Sequence, residues 1–135
     1  MKWKYVEPLI NPNAVVTFLE KEHITIPRDV IDFIVCHNGG RPEKSLFDTD
    51  KGREYVFDGL FSYNADDSEC IFKIYEGELR DNLKKDGLFP IGMDPAGDMI
   101  CVNYGDNNKF VLYRMETGKI EYIAENVGDL EKELY

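Results

Sequence analysis

Between Leu88 and Ile123 four short apolar runs alternate with three clusters of turn-forming residues, and no other feature of the chain restricts its fold as much. The runs are Leu88-Phe89-Pro90-Ile91-Gly92, Met99-Ile100-Cys101-Val102-Asn103-Tyr104, Phe110-Val111-Leu112-Tyr113-Arg114 and Ile120-Glu121-Tyr122-Ile123. The clusters are Asp94-Pro95-Ala96-Gly97-Asp98, Gly105-Asp106-Asn107-Asn108 and Glu116-Thr117-Gly118. Short runs rich in β-branched and aromatic residues, bounded by Gly, Asn, Asp and Pro, read as strands. Connections this short join antiparallel neighbours only, because parallel strands need a crossover of a dozen residues or more. The spacing predicts an antiparallel meander.

Helical patterns flank it. After the turn Asn11-Pro12-Asn13, the residues Val15, Phe18 and Leu19 share one face of a helix that Asn13 is placed to cap. Pro27 opens a second helix, Asp29 suits its positive end, and Val30, Phe33, Ile34 and His37 lie on one face. Asn38-Gly39-Gly40 stops it, as a left-handed cap requires, and His37 falls near the negative pole of the helix. Arg41 to Asp67 mixes polar turns with Tyr55-Val56-Phe57 and Leu60-Phe61-Ser62-Tyr63, which read as two strands whose aromatics alternate between core and surface. Asn64 to Ser68 supplies cap residues for a helical stretch from Glu69, interrupted at Gly77, and Val127, Leu130 and Leu134 restore helical spacing at the end. Helices, sheet, helix is an α+β order: a mostly meander antiparallel β-sheet with an N-terminal helix pair and a C-terminal helix packed against one face. No repeat or linker divides the chain, so one domain over residues 1–135 is expected.

Composition narrows the function. A chain with 8 Phe, 8 Tyr and 43% hydrophobic residues has the material for a packed core, so its acidity belongs to a folded surface. The formal charge is −10, spread along the chain as 12 acids and 8 bases in residues 1–67 and 14 and 8 in residues 68–135. Such a surface repels phosphate backbones, which excludes direct nucleic-acid binding, and it favours either solubility or steering toward a basic partner. No signal-peptide core and no run of 18 apolar residues is present, so a cytoplasmic protein without membrane attachment is expected, as monomer or weak homodimer. Cys36, Cys70 and Cys101 each lie in an apolar run and fit buried reduced thiols.

Candidate chemistry is sparse. Asp94 and Asp98 lie four apart, but an oxygen-ligand loop for calcium needs alternating ligands and a distal Glu, so a tight turn with Gly97 at positive φ is the simpler reading. Adjacent Cys36 and His37 point in different directions on a helix, and no Cys-x-x-Cys pair exists for zinc. Gly39-Gly40 follows a helix, whereas a phosphate loop precedes one. Asp66-Asp67 needs no acid–base role if it caps a helix. Neither a metal nor a cofactor is expected, and catalysis by a cleft carboxylate or thiol is the least favoured reading.

Two stretches in order resemble a known family. Phe18-Leu19-Glu20-Lys21 through Ile26-Pro27-Arg28-Asp29-Val30-Ile31-Asp32-Phe33-Ile34 to Asn38-Gly39-Gly40, and then Phe89-Pro90-Ile91-Gly92-Met93-Asp94-Pro95-Ala96-Gly97-Asp98-Met99-Ile100-Cys101-Val102, look like the SUKH superfamily of Smi/Knr-type domains, with Ile123-Ala124-Glu125 matching its last element. The resemblance implies helices packed on one face of an antiparallel sheet and a non-catalytic, protein-binding role. In many bacterial members that role is immunity against a cognate toxin. In the fungal branch it is general scaffolding or regulation, within chains that carry long disordered flanks; none is seen here, so the bacterial role is the expectation. The contact surface is then expected at Asn38, Gly39, Gly40, Asp66, Asp67, Asp94 and Asp98, offered to a toxin domain that is basic if it is a nuclease.

Overall fold

Helix α1 (Ala14–Lys21) buries Ala14, Val15, Phe18 and Leu19, and α2 (Arg28–Cys36) buries Val30, Phe33 and Ile34, as their 3–4 spacing dictates. The computed structural model describes residues 1–135. Asn13 does not cap α1 with its side chain; Asn11 ties the helix start instead, its Oδ1 accepting from the Asn13 amide at 3.0 Å and its carbonyl from the Ala14 amide at 3.1 Å. Chain reversal after α2 falls on Gly39 at φ +68, a left-handed conformation that costs glycine nothing. His37 closes that helix by donating Nδ1–H to the Phe33 carbonyl at 2.9 Å, and its ring stacks on Trp3 at 4.5 Å.

Four two-residue strands precede the main sheet. Strand β1 (Trp3–Lys4) pairs with β2 (Arg41–Pro42), and β3 (Leu46–Phe47) pairs with β4 (Tyr55–Val56). The expected strand Leu60–Tyr63 shrinks to β5 (Gly59–Leu60), which joins the edge of the main sheet. Its aromatics do not alternate outward: Phe57, Phe61 and Tyr63 are all buried and Tyr55 is half-buried. The segment is covered from both sides, Phe57 by Trp3 at 6.0 Å between ring centroids, and Tyr63 by Phe18 and Phe72 at 6.0 Å each.

Gly77, at φ +58, breaks the middle helical stretch into α3 (Ile71–Ile74) and α4 (Gly77–Lys85). Cys70 stands at the α3 cap position with no side-chain capping bond, so Asp66 and Asp67 do not cap it. The meander follows as β6 (Leu88–Met93), β7 (Met99–Asn103), β8 (Lys109–Tyr113) and β9 (Ile120–Ala124), giving an antiparallel sheet in the order β5-β6-β7-β8-β9. Asn126 then caps α5 (Val127–Glu133), accepting from the Asp129 amide at 2.8 Å. Phe89, Val102 and Phe110 stand side by side across β6, β7 and β8, fully buried on one face; Phe18 of α1 and Tyr75, just after α3, lie 6.3 and 5.6 Å from the Phe89 ring. One cluster of 32 buried residues runs from Ala14 to Leu134. Cys70 and Cys101 are buried, whereas Cys36, expected inside, is exposed because it shares the outer stripe of α2 with Asp32 four residues earlier.

Both sheet edges are occupied. Tyr122 on β9 accepts from the Asp50 amide at 3.1 Å and donates its own amide to Asp50 Oδ1 at 2.8 Å. At the other edge the Leu60 amide donates to the Gly40 carbonyl at 2.9 Å. An additional strand finds no free ladder at these positions.

Candidate protein-binding surface

Asn38 is fully buried, which a primary amide tolerates only when its polar atoms are satisfied. Its Nδ2 donates to the Glu7 carbonyl at 2.9 Å and to Ser62 Oγ at 3.2 Å, and its Oδ1 accepts from the Tyr63 amide at 2.8 Å. Ser62 Oγ in turn donates to Asp67 Oδ2 at 2.5 Å. One polar chain therefore joins the helix-terminating Asn38-Gly39-Gly40 to the Asp66-Asp67 loop, two groups that lie 27 residues or so apart in sequence. A second buried amide, Asn64, donates to the Pro8 carbonyl at 3.1 Å and accepts from the Ile10 amide at 3.0 Å. Together the two asparagines fasten the N-terminal arm, Glu7 to Ile10, along the Ser62–Asn64 segment.

Two depressions open on either side of that segment. One is an acidic notch of about 230 Å³ that includes Tyr5, Glu7, Gly39, Asp67 and Glu69. The other is a largely apolar cleft of about 450 Å³ between the arm, α1 and α3, with Ala14, Phe18, Tyr63 and Phe72 in its walls and Asp66 and Lys21 on its rim. Ile10 is 80% exposed at its mouth although its backbone is held by Asn64. None of Glu7, Asp66, Asp67 and Glu69 forms an ion pair. By contrast the buried acids are committed: Glu22 pairs with Lys84 at 3.0 Å and Glu121 with Arg114 at 3.2 Å.

Asp94 and Asp98 stand apart from this corner, in the β6–β7 turn, and both are buried. Asp94 Oδ1 accepts from the amides of Ala96 and Asp98 at 2.9 and 3.0 Å, while Gly97 takes φ +90, as the turn reading expects. Burial raises the pKa of the Asp94 carboxyl from its ordinary value, against the pull of those amides. Asp98 Oδ1 accepts from the Met115 amide at 3.0 Å and its Oδ2 pairs with Arg114 Nε at 3.0 Å. Arg114 also donates Nη1 to Tyr55 at 2.8 Å, so this cluster ties β4, β9 and the β6–β7 turn together. Of the seven residues expected to meet a partner, Asn38, Asp94 and Asp98 spend their side chains inside the fold, and Gly39, Asp66 and Asp67 reach the two depressions. Gly40 is buried beneath them, where an added Cβ would stand 2.9 Å from both the His37 carbonyl and Val6.

The ordered helix stop, the Phe89 to Asp98 hairpin and the closing helix thus occur in the arrangement the motifs imply. A model of the SMI1 / KNR4 family (SUKH-1) matches residues 10–133. The chain belongs to that family. The family match covers α1 through α5 and leaves the β1 arm outside it. Neither a curated protein nor a solved structure matches the chain. Within this SUKH domain, Glu7, Ile10, Glu69 and Phe72 are surface members that the sequence reading passed over. A signal existed for Phe72: Ile71, Ile74 and Tyr75 lie at the spacing of an inward face, which leaves Phe72 beside it. No local signal marks Glu7 or Ile10, whose positions depend on Asn38 and Asn64 far along the chain.

Proposed function

We propose that this SUKH protein is a non-catalytic, single-domain binding protein of the cytoplasm, and specifically an immunity protein that neutralises a cognate bacterial toxin with a basic surface. The observation that carries the reading is the acidic corner itself: Glu7, Asp66, Asp67 and Glu69 line adjoining depressions and form no ion pair, on backbone pinned by two buried amides. Charges left free on a rigid rim accelerate encounter with an opposite charge and discriminate against wrong partners. A basic nuclease groove is the surface such a rim would cover. Cys101, fully buried in the sheet, supports the non-catalytic part, since burial raises its pKa and disfavours the thiolate that nucleophilic chemistry uses. No helix is long and apolar enough to cross a membrane.

Co-expression with the toxin encoded beside this chain tests the proposal. Growth is expected to be restored by the wild-type chain and by Cys101→Ala, and to be lost when Asp66 and Glu69 are both replaced by Lys. Continued toxicity with soluble wild-type protein present would reject the immunity role.

A further inference from the structure

The apolar cleft beside the acidic notch is not required by charge steering alone. Ile10, Ala14, Thr17, Phe18, Tyr63 and Phe72 surround a space of about 450 Å³, large enough for a side chain of any size, and Phe72 is 38% exposed at its wall. Apolar groups left in water on a fixed backbone are characteristic of a contact surface, and a buried anchor ringed by polar contacts is how a few residues come to dominate affinity. The charges around it limit the occupant. Around the two depressions the acids Glu7, Asp66, Asp67 and Glu69 outnumber the bases, which are Lys21 on the cleft rim and Lys73, whose Nζ donates to the Asp67 carbonyl at 3.3 Å. A second copy of this chain would bring the same acidic rim against itself, and an anionic lipid surface would be repelled in the same way.

We propose that this cleft seats an aliphatic or aromatic side chain carried between basic residues of the protein partner, with the anchor on Phe72 and Ile10 and the flanking cations on Asp66 and in the notch at Asp67 and Glu69. The proposal rests on the reading that the chain binds a protein, and it assigns the chemistry of the contact.

Three tripeptides separate the requirements when titrated into isotopically labelled protein and followed by amide shifts: Lys-Trp-Lys, Glu-Trp-Glu and Lys-Ala-Lys. Lys-Trp-Lys is expected to shift Ile10, Thr17 and Phe72 and to bind about tenfold tighter than either of the others, the loss expected when one buried aromatic or its charge match is removed. Thr17 is exposed on α1, so Thr17→Trp fills the cleft from outside the core and is expected to abolish the Lys-Trp-Lys shifts while the rest of the spectrum stays folded. Equal binding of Glu-Trp-Glu or Lys-Ala-Lys, or shifts confined to the Arg114 side, would overturn the proposal. The protein-binding reading fails separately: a toxin complex that survives Thr17→Trp removes the cleft and keeps that reading, whereas Lys-Trp-Lys binding with no toxin complex keeps the cleft and removes it.

Discussion

Asn38 illustrates how one side chain can organise a surface without touching solvent. Its three side-chain hydrogen bonds reach Glu7, Ser62 and Tyr63, so removing it orphans partners on three segments at once. Asn38→Ala is expected to destabilise the protein by about 3 kcal/mol, since buried donors and acceptors left unpaired cost about 1–3 kcal/mol each and relax only in part. Urea denaturation measures it, and a loss below about 1 kcal/mol would mean that water replaces the amide readily. Asp94 tests the electrostatics. Its folded pKa is raised by burial, so the native state holds this proton more tightly than the unfolded chain does. The resulting stabilisation is present below the unfolded value, about 3.9, and is lost as pH rises through the folded value. The stability of the wild type relative to Asp94→Asn is therefore expected to fall as pH rises above about 3.9, and a pH-independent difference would contradict the assignment. Residue identities such as Asn38 and Asp94 are visible in the sequence as turn formers, but their partners are 24 to 31 residues away for Asn38 and local for Asp94, which is why only the second role could be read in advance.

At the scale of elements, close backbone approach explains what composition leaves open. A Cβ on Gly92 would stand 2.4 Å from the Gly59 carbonyl oxygen, inside the β5–β6 pairing. Gly92→Ala is expected to cost about 2–3 kcal/mol and to loosen β5, because a packed backbone cannot yield as a side chain can. Gly128→Ala, in α5 with its nearest neighbour at 3.4 Å, is expected to be neutral or to stabilise by about 0.5–1 kcal/mol through helix propensity. Comparable losses in thermal melts of both variants would refute the steric account. The elements legible beforehand, β6 to β9, α1, α2 and α5, are those whose apolar period repeats within one segment. Strands β1 to β5 have two residues each, too few for any period to show, and their pairing comes from distant backbone. The same non-locality hid the inward burial of Phe61 and of Tyr63, the latter covered by Phe18 of α1 and Phe72 of α3.

For the molecule as a whole, occupied sheet edges and an unpaired acidic corner point to recognition through side chains rather than through an added strand. Net charge was legible in the sequence, while its division into committed and free carboxylates was not, because Glu22 and Glu121 look no different from Glu7 and Glu69 until their partners are placed. The most direct measurement is the association rate between the purified chain and the toxin encoded beside it, recorded over a range of salt concentrations for the wild type and for Asp66→Lys/Glu69→Lys. A wild-type rate that falls steeply with salt is predicted, together with a rate about tenfold or more lower for the double variant at low salt and unchanged thermal stability, since both side chains are exposed. An absence of association, or equal rates for both proteins at every salt concentration, would contradict the claim that the acidic corner receives a partner.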